Sequence, residues 1–268
     1  MHLKRWITGI VAVPIIYFIV AGGGIGFAVF VAIVSSLTLW EFFNIVLNSK
    51  DALSARMIPV IGYITSTIII LSTHFFIKID ISFLIAANFL LTAALSLPMF
   101  KSDNHAPFIA IKQIFGIVYI PVFLSFLVLL RNGENGASWI FLILCIIAAG
   151  DTGAYYFGSF LGKRKLCPSV SPKKTVEGAA GGLLSNVIVA ILFKLFLMPF
   201  LPIFQIILFA VCIGAAGQIG DLFESEFKRA AGVKDSSALL PGHGGFLDRI
   251  DALLFASPVA YFIKGAIL

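Results

Sequence analysis

Long apolar runs separated by short polar loops make up nearly the whole chain. The runs are continuous rather than alternating, and most reach the roughly 20 residues that a helix needs to cross the bilayer core. Strands are disfavoured because dyad alternation is missing. The pattern predicts an all-α, polytopic integral membrane protein with nine spans, at about residues 6–21, 25–47, 57–77, 79–99, 107–130, 138–161, 178–198, 202–222 and 247–267.

The first run is the shortest and contains Pro14. With Lys4 and Arg5 before it and small residues after it, it has the features of a secretory signal peptide. We favour a retained first helix, because the apolar pattern resumes within a few residues and leaves no mature domain to export. Gly22-Gly23-Gly24 is then a tight turn between two helices.

Composition supports the membrane class and excludes others. Hydrophobic residues are 60% of the chain and charged residues 12%, whereas a soluble domain is nearer half apolar and a quarter charged. The net charge of +6 does not indicate a nucleic-acid partner, since the basic residues lie in short loops between apolar runs. The three cysteines show no spacing typical of a disulfide framework or a zinc site.

Loop charge predicts the orientation. With a cytoplasmic N-terminus and nine spans, all but four of the lysines and arginines fall on the cytoplasmic side; the exceptions are Lys78, Arg131, Lys194 and Lys264. The loops 162–177 and 223–246 are then cytoplasmic and the C-terminus is outside. We divide the chain into N-terminal helices, 1–135, a scaffold that could carry dimer contacts, and a C-terminal catalytic region, 136–268, which contains both loops.

Three acids lie at the cytoplasmic ends of predicted spans. Asp248 and Asp251 are three residues apart and share a helix face, and Asp221 ends another span. The helix dipole alone would favour acids at a helix start. The presence of Asp221 at the same depth favours a divalent-cation site instead, since Mg²⁺ uses one or two carboxylates plus substrate phosphates.

A polar stripe continues from the first of these acids at helical spacing: Asp221, Glu224, Ser225 and Lys228. A solvated helix face would explain Glu226, and Glu224 as well, but not Asp221. The small residues of 214–220 lead into Asp221 and predict close helix packing around it.

Two loops contain candidate phosphate-binding groups. In Pro241-Gly242-His243-Gly244-Gly245, glycines let backbone N–H groups approach an anion, and His243 is either a phosphate donor, a proton-transfer group or a structural residue. In Ser171-Pro172-Lys173-Lys174-Thr175, the lysines either contact anionic lipid or bind phosphates, and Ser171 or Thr175 could cap the next helix.

Three polar residues interrupt apolar runs. Asp151 is expected to be buried and to need a partner, for which Lys173 or Lys174 is a candidate. Glu41 lies toward the cytoplasmic end of its span and borders the site or an interface. His74 is expected to be structural.

These motifs resemble one family, the phosphatidate cytidylyltransferases (CDP-diacylglycerol synthases). Residues 225–251 match the family signature, which contains Ser225-Glu226-Phe227-Lys228-Arg229, then Lys234-Asp235, then His243-Gly244-Gly245, then Asp248-Arg249-Ile250-Asp251. The stretches 171–178 and 151–155 resemble two further family motifs, with Val176 where an aromatic is common. The resemblance is specific over about 140–268; the N-terminal half resembles the family only in its span pattern, with Glu41 as a candidate match.

The resemblance implies transfer of CMP from CTP to phosphatidic acid, with Mg²⁺ and room for a second cation such as K⁺. It implies that Asp221, Asp248 and Asp251 hold the metal. Cationic groups would face phosphates: Lys173, Lys174, Lys228, Arg229 and Arg249. Other residues would complete or brace the pocket: Ser171, Ser225, Asp151, Glu177, Lys234, Asp235 and His243. It also implies a homodimer in the cytoplasmic (inner) membrane of a bacterium.

Two other readings stay open at this point. A related enzyme could use CTP on another lipid phosphate or on a polyprenol. An ion-coupled transporter would explain intramembrane Asp151 and Asp221, but such transporters are typically built from repeated halves, and the sequence has no such repeat.

Overall fold

The computed structural model describes residues 2–47, 53–75, 80–240, 242 and 244–267. The helices are α1 (His2–Gly22), α2 (Gly24–Val46), α3 (Leu53–His74), α4 (Ile81–Met99), α5 (Ala106–Ile117), α6 (Phe123–Asn132), α7 (Gly136–Leu161), α8 (Val176–Leu197), α9 (Ile203–Ala230) and α10 (Leu247–Ile267). A π-helical segment, Val118–Val122, joins α5 to α6, and two short strands, β1 (Lys165–Cys167) and β2 (Ser171–Thr175), form a hairpin.

Seven helical segments in the described residues are long and apolar enough to cross a membrane. They are α2, α3, α4, the run from α5 to α6, α7, α8 and α9. The all-α, polytopic membrane class is therefore confirmed. The apolar part of α1 that is described is shorter, Ile10–Gly22, and α10 is not among the seven, so the count of nine spans stays a prediction.

The segment between α5 and α6 departs from the continuous helix that the sequence predicts. It contains Pro121, which has no backbone N–H to donate and whose ring crowds the preceding turn. The wider π turn accommodates this local defect without ending the helix.

The chain forms two compact units. The N-terminal unit consists of Met1–Asn132 and Ala231–Arg249, and the C-terminal unit of Gly133–Ala230 and Ile250–Leu268. The segment Ala231–Arg249 packs within the N-terminal unit.

The N-terminal unit is held together by apolar contacts and a few buried polar pairs. Ser35 and Ser66 join α2 to α3 through a 2.9 Å contact between their hydroxyls, and Asn88 donates to Thr65 over 2.8 Å to join α4 to α3. Since lipid is as apolar as the helix surfaces, such polar contacts and small residues provide much of the specificity of helix packing.

The predicted turn between α1 and α2 is confirmed. Gly23 has a φ of 61°, which favours glycine. Arg131 stands beside it and donates to the last carbonyls of α1, from Nε to Val20 over 2.6 Å and from Nη2 to Ala21 over 2.9 Å. A side chain at position 23 would overlap the Arg131 guanidinium.

The C-terminal unit packs through small residues. Asn186 of α8 fits against Gly150 of α7 and Gly214 of α9, where an added Cβ would overlap its side chain or press closely against it. At the far end of the unit, the buried Trp139 ring lies edge-on to Phe209, with centroids 5.0 Å apart. The close approach of α7, α8 and α9 follows from these glycines.

Both long loops contain regular secondary structure. The loop 162–177 contains the β1–β2 hairpin, in which Lys165 pairs with Thr175 and Cys167 with Ser171. The loop 223–246 begins as helix, because α9 continues to Ala230. The helical spacing of the polar stripe already indicated this extension.

Candidate active site

The polar stripe on α9 forms the centre of the polar cluster in the C-terminal unit. Asp221 Oδ2 lies 2.6 Å from Lys174 Nζ, so β2 and α9 are joined by an ion pair whose two side chains are 31% and 32% exposed. Ser225 Oγ is 3.5 Å from Asp221 Oδ1. The sequence predicts Asp221 as a metal ligand and Lys174 as a phosphate-binding residue. The structure makes these two residues neighbours.

Asp251 lies next to this pair because α10 packs closely on α9. A Cβ at Gly220 would lie 2.5 Å from the Asp251 carbonyl oxygen, and Gly217 faces Ala252 one turn earlier. The predicted close packing around Asp221 is thus confirmed. The carboxylates of Asp221 and Asp251 are near enough to repel each other, and Asp151 adds a further repulsion.

A second ion pair lies within the stripe. Glu224 Oε2 and Lys228 Nζ are 2.5 Å apart, and their side chains are only 1% and 11% exposed. The alternative that Glu224 belongs to a solvated face is therefore wrong, whereas Glu226 is exposed as expected. The positive charge of Lys228 also attracts the carboxylate of Asp251, so this lysine interacts with two acids.

The hairpin is fixed to the start of α8 by Glu177 and Thr175. Glu177 accepts the backbone N–H groups of Lys163 and Arg164 over 2.9 and 3.1 Å. Thr175 caps α8 by accepting from Gly178 over 3.1 Å, which selects it over Ser171 as the cap. Glu177 thus braces the lysine loop through its backbone.

In the N-terminal unit, Asp248 is hydrogen-bonded to two other residues of the signature segment 225–251, Ser236 and Gly245. Its Oδ2 accepts three hydrogen bonds, from Ser236 N and Ser236 Oγ, each over 2.9 Å, and from Gly245 N over 2.8 Å. A charged acceptor with several donors is held in one orientation. Asp248 therefore closes the loop that precedes α10.

Glu41 of α2 reaches the same segment. It is fully buried and accepts from Ser237 Oγ at 2.6 Å, Phe246 N at 2.9 Å and Leu247 N at 2.7 Å. Ser236 Oγ lies 3.0 Å from Glu41 Oε2, so this hydroxyl is shared between Glu41 and Asp248. The sequence predicts that Glu41 borders the site or an interface, but it does not predict the hydrogen-bond partners of Glu41. The signal for a structural role was present, since a lone acid in an apolar helix must be hydrogen-bonded when buried.

Other predicted residues lie at the surface of their units. Asp151 is exposed on α7, so the expectation that it is buried is wrong. Lys173, Lys234, Asp235 and Arg249 are exposed as well, and Ser171 is half-buried. Arg229 donates from Nε to the Val170 carbonyl over 3.3 Å, which ties the end of α9 to the hairpin turn. His243 lies outside the described residues.

The fit of a metal ion can be assessed within each unit. In neither unit do the described residues include three acidic, histidine or cysteine side chains grouped to hold a metal ion. Asp221 and Asp251 of the C-terminal unit supply two mutually repelling carboxylates beside cationic groups. That donor set fits Mg²⁺, which takes part of its coordination from substrate phosphates and water.

Comparison with known proteins decides the family. The chain matches the Cytidylyltransferase family over residues 3–266. This chain belongs to the cytidylyltransferase family. The match spans both units, so the kinship extends beyond residues 140–268, where the sequence motifs had located it.

Individual members of the cytidylyltransferase family resemble the chain at similar levels. A phosphatidate cytidylyltransferase of Bacillus subtilis (strain 168) is 33% identical over 97% of this chain and 96% of the relative. One from Staphylococcus haemolyticus (strain JCSC1435) is 34% identical over 95% and 96%, and one from Staphylococcus aureus (strain COL) is 33% identical over the same shares. The family resemblance read from the motifs is confirmed.

Proposed function

We propose that this protein is a phosphatidate cytidylyltransferase, which transfers CMP from CTP to phosphatidic acid and releases pyrophosphate. The observation that carries the proposal is the cluster of Asp221, Asp251, Lys174 and Lys228 in a chain of this family. Its mixture of carboxylates and cations suits a metal ion bound together with a polyphosphate.

The reaction needs little proton transfer. A phosphate oxygen of phosphatidic acid attacks the α-phosphorus of CTP, a new P–O bond forms, and the bond between the α-phosphorus and the bridging oxygen to the β-phosphate breaks. Since the nucleophile is already ionised, a strong general base is not required. The barrier lies in bringing two anions together and in stabilising the leaving pyrophosphate, which calls for positioning and electrostatics.

The carboxylates of Asp221 and Asp251 are the ligands that we propose for Mg²⁺, with Asp248, three residues earlier on α10, as the third that the family resemblance implies. When bound, Mg²⁺ would neutralise charge on the phosphates of CTP. A second cation such as K⁺ belongs to the same proposal. Lys174 is already paired with Asp221, so this lysine is placed to exchange an acidic partner for a substrate phosphate.

The remaining cations are proposed to face phosphates: Lys173, Lys228, Arg229 and Arg249. Glu177 holds the hairpin that carries the lysines, as its backbone contacts indicate. Ser171, Ser225, Asp151, Lys234, Asp235 and His243 are proposed to complete the pocket. The excess of basic residues in the loops supports a cytoplasmic site in a bacterial cytoplasmic membrane, and a homodimer is the proposed assembly.

The direct test incubates purified protein with CTP, phosphatidic acid and Mg²⁺ and identifies the lipid product by mass spectrometry. We expect CDP-diacylglycerol and an equal amount of pyrophosphate. A panel of other nucleotides, ether-lipid phosphates and polyprenols separates this reaction from its relatives. A folded protein that forms no lipid-linked CDP, or that prefers a polyprenol, would overturn the proposal.

A further inference from the structure

Three consecutive backbone amides at the start of α10 bind two carboxylates. Gly245 N donates to Asp248, and Phe246 N and Leu247 N donate to the two carboxylate oxygens of Glu41. The first amides of a helix have no partners within the helix and need acceptors from elsewhere. A residue some 200 positions earlier in the chain therefore caps α10: the bonds from Phe246 and Leu247 span 205 and 206 residues.

Ser236 connects the two carboxylates. Its Oγ lies 3.0 Å from Glu41 Oε2 and 2.9 Å from Asp248 Oδ2. A hydroxyl has a single proton and can donate to only one of them at a time. The orientation of Asp248 is thus linked to that of Glu41 through one side chain.

Glycine is required at position 245 by the same arrangement. A Cβ there would overlap Ser236 Oγ and both carboxylate oxygens of Glu41. Glu41 itself is fully buried and Ser236 is 8% exposed, so the contacts are shielded from water. Hydrogen bonds to a shielded carboxylate are stronger than those in water.

We propose that Glu41 is a positioning residue for the transfer reaction: it fixes the segment formed by residues 236–237 and 245–247 and, through Ser236, orients the carboxylate of Asp248. The inference rests on the proposed function for its catalytic consequence, because Asp248 is a metal ligand only under that function. The structural part of the inference, that Glu41 orders this segment, rests on the hydrogen bonds alone. Glu41 itself contacts no substrate in this scheme.

Glu41→Gln tests the proposal with a side chain of the same shape. One carboxylate oxygen becomes an NH₂ group, which cannot accept from Leu247 N or Phe246 N. Supporting residues behind a metal ligand typically change metal affinity or activity by about 10–100-fold. We expect kcat to fall by about that factor and the Mg²⁺ concentration for half-maximal rate to rise, with little change in KM for phosphatidic acid.

Hydrogen exchange of the metal-free protein gives a readout independent of activity. Glu41→Gln should speed deuterium uptake in a peptide covering 236–247. Ser35→Ala is the matched control, since it removes another fully buried hydrogen bond of α2, to Ser66, far from the segment in sequence. It should lower thermal stability and leave both the exchange of 236–247 and the Mg²⁺ response unchanged.

A pair of serine variants keeps the test decisive if Glu41→Gln fails to fold. Ser236 contacts Glu41 and Asp248, whereas the hydroxyl of Ser237 contacts Glu41 and the Leu239 amide. Ser236→Ala should therefore raise the Mg²⁺ requirement several-fold more than Ser237→Ala.

Equal effects of the two serine variants, or a folded Glu41→Gln protein with unchanged exchange and unchanged Mg²⁺ response, would overturn the positioning role. An inactive wild-type protein would count against the proposed function instead. The exchange measurement contains no substrate, so it would still decide whether Glu41 orders the segment.

Discussion

Lys174 Nζ lies 2.6 Å from Asp221 Oδ2, and this ion pair joins the hairpin to α9. Both side chains are about one-third exposed, so the pair contributes at most about 1 kcal/mol to stability. A weak pair between a candidate phosphate-binding lysine and a candidate metal ligand is easily exchanged. This contact holds the lysine close to the acids, and a substrate phosphate could replace Asp221 as its partner.

Replacing this lysine should therefore affect activity more than folding. We expect Lys174→Ala to lower the rate of CMP transfer by roughly 100-fold, the size of effect seen when one preorganised donor is removed. Thermal unfolding should shift little. Lys163→Ala is the control. The side chain of this lysine, in the same loop, is exposed, and its hydrogen bond to Glu177 comes from the backbone N–H, which the substitution keeps. Comparable losses in the two variants would contradict a specific role for Lys174.

The contact between α9 and α10 at Gly220 should be sensitive to a single methyl group. In Gly220→Ala the new Cβ would lie 2.5 Å from the Asp251 carbonyl oxygen, and backbone cannot move aside as a side chain can. We expect a loss of about 1–3 kcal/mol in unfolding free energy and reduced activity, because α10 must shift and carry Asp251 away from Asp221.

Gly217→Ala, one turn earlier on α9, is the matched control. Its Cβ would meet Ala252 at 3.4 Å, an ordinary contact. It should keep wild-type activity and stability. If Gly220→Ala behaves in the same way, the packing of α9 on α10 does not set the distance between the two acids.

The ion pair of Glu224 and Lys228 allows a structural effect to be separated from a functional one. The two side chains are 1% and 11% exposed. Removing one of them leaves a largely buried charge, which typically lowers the free energy of unfolding by about 3–5 kcal/mol. Glu224→Gln alone should therefore be destabilised in thermal or denaturant unfolding. The double variant Glu224→Gln, Lys228→Met should recover part of that stability, because the buried charge of Lys228 is removed together with that of its acidic partner.

Activity should not recover with stability in that double variant, since Lys228 is proposed to face phosphate. A double-mutant cycle on unfolding and on turnover measures both effects in the same proteins. Recovery of full turnover in the double variant would remove Lys228 from the reaction and leave it a purely structural partner of Glu224.

Gly245→Ala should disrupt the segment before α10. The new methyl group would overlap Ser236 and Glu41, so the segment must move and Asp248 with it. We expect turnover to fall at least tenfold in a protein that still inserts and folds. Gly265→Ala, where a Cβ meets open space near the end of the same helix, should be neutral. Near-normal turnover in Gly245→Ala would show that the segment tolerates displacement.

Much of the helical framework follows from local sequence. Most of the apolar runs have the length of a span, and the small residues before Asp221 predicted the close approach that Gly217 and Gly220 make to α10. The spacing of the polar stripe likewise predicted that α9 extends past the last apolar residues. These features depend on neighbours within one or two turns, which a single sequence displays directly.

Other features depend on partners far apart in the chain. Nothing near Glu41 in the sequence indicates that its carboxylate oxygens accept hydrogen bonds from backbone amides more than 200 residues later. The sequence also does not predict the short hairpin, because strands of three and five residues contain too little alternation to indicate a strand. Asp151 looked buried because it interrupts an apolar run, yet a residue in a span can face the outside of its unit.

The position of the transferred phosphorus tests the central claim most directly. Purified protein in phosphatidic acid-containing liposomes would receive CTP labelled at the α-phosphorus in one sample and at the γ-phosphorus in another, with Asp251→Asn as the inactive control. The account predicts that the α-label appears in lipid and the γ-label in pyrophosphate, in equal amounts and only with Mg²⁺. Transfer of the γ-label to lipid, or no lipid label from folded wild-type protein, would contradict it.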